Sequence, residues 1–158
     1  MTLERKFKIF YSLIILFCLS SICYAFFVEY ILGYKPCILC KYQRVPYILG
    51  LIIGLFGFFK PSNTKINICI FLTFLISMTL SGYHFGIEQE FYQSIFNCSD
   101  DNLSVLEKGK LLESLKVINP DCRNVNFAIF GVSLATINFI LSFVICSISY
   151  YLYSNAKN

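Results

Sequence analysis

The sequence predicts an all-α integral membrane protein: a four-helix transmembrane bundle with two outward loops carrying cysteines and with both termini cytoplasmic. Three observations lead there. Of 158 residues, 57% are hydrophobic and only 14% charged, too little polar surface to cover a soluble core. The mean hydropathy is +0.67, and the apolar residues come in blocks of membrane-spanning length rather than in periodic stripes. The basic residues, finally, are distributed unevenly between alternate connections.

The first block, 9–28, contains no charge and defines a span over about 9–29. A cleaved signal peptide is the competing reading, because MTLERKFK is a basic leader and Cys23-Tyr24-Ala25 loosely resembles a cleavage site. The apolar run exceeds the usual signal core and continues through Phe26, Phe27 and Val28, which favours a retained helix. Ile22 stands before Cys23 where a lipoprotein signal needs a small residue. The second block, 45–59, is short, but gains length if its helix starts near Lys41, giving a span of about 42–59. Pro46 is tolerable in the first turns of that helix and able to bend it. The third block, 66–87, is interrupted only by His84, and the fourth, 124–156, carries no charge and has length to spare for tilt. Its span is placed at about 125–153, so the whole chain, 1–158, reads as one membrane domain with loops at about 30–41 and 88–124.

With the N-terminus inside, the cytoplasmic pieces are residues 1–8, KPSNTK and SNAKN. They hold Arg5, Lys6, Lys8, Lys60, Lys65 and Lys157 against one acid, Glu4. The opposite side carries seven basic and eight acidic residues. That bias orients the chain, so the +4 net charge is a topology signal and not a nucleic-acid patch. No phosphate-cradling glycine loop, internal repeat or low-complexity tract is present.

Topology sorts the eight cysteines. Cys18, Cys23, Cys69 and Cys146 lie within apolar runs, where a thiol packs as a small hydrophobe. Cys37, Cys40, Cys98 and Cys122 fall on the outward side, in a compartment that permits disulfides. The C-I-L-C spacing of Cys37 and Cys40 closes only a tight ring, a poor staple and a reasonable redox couple. It sits where the second helix should begin, so the helix dipole, Lys41 and Arg44 favour a thiolate. Arg44 follows Cys40 by one turn and projects from the same face.

Cys98 and Cys122 bracket 23 residues, and closing that loop would stabilise the fold by about 3–4 kcal/mol, so a purely structural bridge is a competing reading. Between them NLSVLEKGKLLESLKVI has leucines at near-helical spacing, either an amphipathic helix on the outer leaflet or a loop packed on the bundle. Zinc held by the four outward cysteines is disfavoured: the second pair is not a close knuckle, and oxidation competes for the thiolates. No metal is therefore expected.

The run GYKPCILCKYQRVPYILG, then SGYHFGIE, Cys98, NPDC with Cys122, and FGVSLATINFI, resembles the disulfide bond formation protein B (DsbB) family, closest to its shorter bacterial branch. The likeness extends over nearly the whole chain. Many relatives carry tryptophans around the second loop and fourth span, whereas this chain has none and Phe127 takes one such place. The resemblance implies a bacterial inner-membrane, multi-pass oxidase with its redox cysteines facing the periplasm. Its partner would be a DsbA-like thioredoxin-fold protein, and its electron acceptor a membrane quinone, ubiquinone or menaquinone. It implies further that the partner's thiolate attacks Cys98, that Cys122 then exchanges with Cys37, and that Cys40 faces the quinone with Arg44 against the head group.

The chemistry of the residues suits those roles. Charge growing on a quinone oxygen is best met by a permanent guanidinium where water is scarce. A snorkelling anchor is the plainer reading of Arg44, but ionisable residues at this depth are functional by default. Gln43 either orients Arg44 or satisfies a backbone group. His84, the sole histidine, is structural or moves a proton during quinone reduction. Tyr47, Tyr83 and Glu29 lie at the same level and are not selected, since belt anchoring explains the tyrosines equally well. Two alternatives stand beside the general oxidase: an oxidase dedicated to one partner, and a non-enzymatic scaffold with two structural disulfides.

Overall fold

Each apolar block folds into a helix because no other backbone satisfies its own hydrogen bonds in hydrocarbon. A computed structural model of the chain describes residues 2–91, 128–129 and 132–157. Helix α1 covers Leu3–Phe26 and runs on as a π-helical turn, Phe27–Ile31. The second span is broken into α2, Ile38–Tyr42, and α3, Arg44–Phe59. Helix α4 covers Thr64–Glu88 and α5 covers Leu134–Lys157. Among the described residues four stretches are long and apolar enough to cross a bilayer: Leu3–Ile31, Ile38–Phe59, Thr64–Glu88 and Leu134–Ala156. A two-residue antiparallel ladder, β1 (Ala128–Ile129) with β2 (Val132–Ser133), leads into α5. The fourth helix thus starts at Leu134, later than the expected span near 125, because its approach is extended.

Pro46 accounts for the break between α2 and α3. It lacks an N–H, and its ring crowds the carbonyl four residues back, at Tyr42. Gln43 is accordingly both the C-cap of α2 and the N-cap of α3. The amphipathic stretch expected between Cys98 and Cys122, both of those cysteines, and Phe127 lie outside the described residues.

The helices pack in the order α1–α3–α4–α5, and α1 meets α5 only weakly. Two different sequence devices hold the seams. Between α1 and α3, glycines remove side chains: a Cβ at Gly57 would sit 2.9 Å from the Tyr11 ring, and one at Gly50 would sit 3.1 Å from Cys18 Sγ. Close backbone approach through small residues is the usual adhesive where lipid removes the hydrophobic drive. Between α4 and α5 the adhesive is polar. Asn67 Nδ2 donates to the Ser149 carbonyl at 2.8 Å, and Ser149 Oγ donates to Asn67 Oδ1 at 2.9 Å. Nearer the C-terminal end of α4, Ser77 and Ser142 hydroxyls both reach Asn138 Oδ1, at 3.4 and 3.2 Å. Large apolar residues such as Leu16, Phe56, Phe59, Ile76 and Phe143 stay exposed, as lipid-facing positions do. The weak α1–α5 contact leaves an opening in the bundle wall, and the candidate site lies there.

Candidate functional site

Cys37 begins α2 as its cap: its backbone is extended, and its sulfur accepts from the Cys40 N–H at 3.3 Å. One turn of helix then brings the Cys40 sulfur to 2.9 Å from Cys37 Sγ. A disulfide needs about 2.05 Å, so only a small rotation separates the two sulfurs from bonding distance once an oxidant takes their electrons. Cys37 is buried and Cys40 half-buried, which places one thiol in the protein and the other at its edge.

His84 reaches this pair from the C-terminal end of α4. Its Nε2 lies 3.7 Å from Cys37 Sγ, and the ring is 4% exposed. Gln43, at the break between α2 and α3, places its amide nitrogen 3.3 Å from His84 Nδ1. The sequence had Gln43 orienting Arg44 or a backbone group; the fold turns it towards the histidine instead. A carboxamide can donate to an unprotonated Nδ1 or, rotated, accept from a protonated one, so Gln43 fixes the ring in either tautomer. Glu88, one turn beyond His84, sets Oε1 at 3.6 Å from Nε2. Its carboxylate also takes a hydrogen bond from Ser133, just before α5.

Arg44 opens α3 on the same side of the helix as Cys40. Its Nη1 donates to Glu29 Oε2 at 2.5 Å, with both side chains about one-fifth exposed. Its guanidinium also lies over the Phe26 ring, 5.3 Å from the centroid. The π turn at the end of α1 carries Glu29, and its altered helical phase presents the carboxylate to α3. Lys41, expected to reinforce the positive field, is exposed, whereas Arg44 is partly buried in the cavity wall beside the thiols.

These groups line one cavity of about 280 Å³. Its wall on one side is α1, at Ile22, Ala25 and Glu29; on the other it is α5, at Ala135, Asn138 and Leu141. Cys37, Cys40, Gln43, Arg44, Tyr47, His84 and Glu88 also line it, with Lys35 among the residues at its rim. Tyr47 donates its hydroxyl to Asn138 Oδ1. Asn138 Nδ2 is buried and, among the described residues, lacks a hydrogen-bond partner. The lining is largely apolar, with polar groups concentrated at the thiol end, as ligand sites commonly are.

Of the residues selected from sequence, Cys37, Cys40, Gln43, Arg44 and His84 therefore converge, and Cys98 and Cys122 lie outside the described residues. Glu29 was considered from sequence and not selected; it proves to be the arginine's partner. Glu88 and Asn138 were missed. Glu88 could have been found from its place one turn after the only histidine; Asn138 gave no signal beyond being polar within an apolar run. Cys18 and Cys146 are buried against neighbouring helices, with Cys18 beside Gly50 and Cys146 Sγ 3.8 Å from the Phe71 carbonyl, whereas Cys23 and Cys69 are exposed on the bundle's outer surface.

A family model described as disulfide bond formation protein DsbB matches residues 7–152. Proteins called disulfide bond formation protein B from two strains of Xylella fastidiosa are 27% and 26% identical over 127 residues, 75% of this chain and 73% of each relative. An uncharacterized protein of Rickettsia prowazekii is 28% identical over 145 residues, 88% of this chain and 83% of its own length.

Proposed function

The chain belongs to the DsbB family of multi-pass membrane proteins of disulfide bond formation, and on that premise we propose that it is a quinone-dependent thiol oxidase. It takes two electrons at a time from a DsbA-like periplasmic thioredoxin-fold protein and passes them to ubiquinone or menaquinone. It sits in the bacterial inner membrane with its redox cysteines facing the periplasm, an orientation supported by the lysine and arginine bias of the opposite loops.

The observation that carries this reading is the shared cavity of Cys40 and Arg44 in the gap between α1 and α5. A quinone is dissolved in the bilayer, so its head group must meet the thiols from the side, between helices. The volume is ample for a substituted ring, since an apolar cavity of about 150 Å³ already admits benzene. Its apolar lining suits the ring, and its polar end holds the reacting groups.

The partner's thiolate attacks Cys98 of a Cys98–Cys122 disulfide, and the released Cys122 thiolate attacks Cys37 of a Cys37–Cys40 disulfide. This frees Cys40 as the leaving thiolate. Attack by the partner's second thiolate on the mixed disulfide releases the oxidised partner and frees Cys98, whose thiolate attacks Cys122 of the Cys37–Cys122 bond, re-forming Cys98–Cys122 and leaving Cys37 and Cys40 as the dithiol. Two electrons then pass from the dithiol to the quinone as the Cys37–Cys40 bond reforms. The two thiol protons are matched by two protons taken up on the quinol oxygens. Cys40 donates from the cavity wall, while His84, 3.7 Å from Cys37 Sγ and 3.6 Å from Glu88, takes the Cys37 proton towards that carboxylate. Arg44 meets the charge that develops on the quinone oxygen, and Glu29 and Phe26 hold its guanidinium in place. Asn138 and Tyr47 line the deeper wall.

Purified protein with a reduced thioredoxin-fold substrate and a soluble quinone analogue tests the reading. Oxidation of the substrate should require quinone, vanish in Cys40→Ala and weaken in Arg44→Ala. If both variants turn over as the parent does, the assignment fails. In a Cys122→Ala variant the Cys98 thiolate should attack the disulfide of the oxidised partner and hold it as a mixed disulfide.

A further inference from the structure

Sequence spacing weighed zinc across four cysteines. The fold changes the donor set, because it brings His84, 47 positions away in sequence, to 3.7 Å from Cys37. The donor atoms of Cys37, Cys40 and His84 all lie within 4.8 Å of one another. We propose that the reduced Cys37–Cys40 pair and His84 Nε2 form a binding site for a thiophilic divalent cation of the zinc class, which closes the dithiol to its electron acceptor.

Two of the three edges between donors can be compared with tetrahedral geometry, and the third, Cys40 to His84, lies within 4.8 Å. Zinc–sulfur and zinc–nitrogen bonds of about 2.3 and 2.05 Å place the two donors about 3.6 Å apart. The observed Cys37–His84 separation is 3.7 Å, so that edge is already in place. Two thiolates on one zinc stand about 3.8 Å apart against the observed 2.9 Å; a rotation of Cys40, the half-buried member, opens this edge. Gln43 against Nδ1 supplies the outer contact that metal-binding histidines need, and turning its amide to accept from Nδ1–H leaves Nε2 with its lone pair towards the ion. Glu88, 3.6 Å from Nε2, adds negative charge beside the incoming cation. The fourth position opens on the cavity.

Binding is balanced as two thiols and one cation giving a dithiolate complex and two protons, with no change of oxidation state. It is confined to the reduced protein, because a closed disulfide offers no thiolate. The ion would thus capture the interval between arrival of electrons and their departure. Occupancy as a site rests on geometry alone; its consequence for turnover rests on the proposed oxidase reading.

The test uses neither quinone nor partner, so it stands apart from that reading. Reduced Cys98→Ala/Cys122→Ala protein in detergent micelles, without oxygen, is titrated with Co²⁺. The expected result is one cobalt per chain, a thiolate-to-cobalt charge-transfer band, two protons released, and displacement by one equivalent of Zn²⁺. Cys37→Ala/Cys40→Ala in the same background should lose the band, and His84→Ala should weaken binding by about tenfold or more. A band that persists without Cys37 and Cys40, or parent-like affinity in His84→Ala, overturns the site. X-ray absorption of the zinc-loaded parent decides independently of how the variants fold: two sulfurs and one imidazole support the site, and any shell lacking imidazole refutes it.

Discussion

Replacing Arg44 with methionine keeps much of the side chain's volume and removes its charge. The guanidinium sits in the cavity wall, about one-fifth exposed, where an effective dielectric near 20 is appropriate and unit charges ~4 Å apart interact by about 4 kcal/mol. A transition state carrying half a charge on the quinone oxygen loses about 2 kcal/mol, or about 30-fold in rate. Glu29 sharpens the test. It is bonded to Arg44, so the single variant strands a carboxylate beside the reacting oxygen. Arg44→Met/Glu29→Gln should therefore recover part of the loss, a non-additivity expected of groups in direct contact. The assay is single-turnover quinol formation from pre-reduced protein, followed by absorbance. A parent-like rate in Arg44→Met, or a double variant slower than the single one, refutes the electrostatic role.

Other outcomes follow from the same geometry. Substituting Cys18, Cys23, Cys69 and Cys146 together by alanine should leave turnover unchanged while lowering the unfolding midpoint, because two of them fill space between helices; loss of turnover in a folded variant contradicts their packing role. Gly57→Leu drives side-chain atoms into the Tyr11 ring and should destabilise the bundle by about 1–3 kcal/mol in detergent unfolding; an unchanged midpoint would mean that α1 and α3 are not so closely apposed. Asn67→Leu removes the bonds to Ser149 and should cost about 0.6–2 kcal/mol, with activity measured below the transition unaffected. Membrane-impermeant thiol reagents should label reduced Cys40 in intact spheroplasts from outside; labelling only after the cytoplasm is opened reverses the proposed topology.

The four spans were legible because hydrocarbon demands long apolar blocks, a signal that survives without any knowledge of contacts. Cys37, Cys40 and Arg44 were legible because they lie within one short segment whose local helix decides their placement. The rest depends on how helices meet. Nothing local tells Glu29 that a π turn will direct it at Arg44 rather than at water, and nothing marks Gly57 as the position facing Tyr11. Gln43 is legible as part of a motif whose role the sequence leaves open between Arg44 and a backbone group, and its contact with His84 on α4 depends on how the helices meet. Asn67 and Ser149 are 82 positions apart, and each alone reads as a polar blemish in an apolar run. Hydropathy places the fourth span from about 125, but Ala128–Ile129 and Val132–Ser133 pair as extended strands ahead of α5, and hydropathy does not separate those conformations.

The central claim is that quinone closes the Cys37–Cys40 disulfide. Fully reduced Cys98→Ala/Cys122→Ala protein, mixed with one equivalent of quinone under argon, alkylated and mapped by mass spectrometry, tests it without any partner. The account predicts one Cys37–Cys40 disulfide formed per quinol produced, and none without quinone. Quinone consumed while both thiols remain alkylatable, or a bond formed equally in its absence, would contradict it.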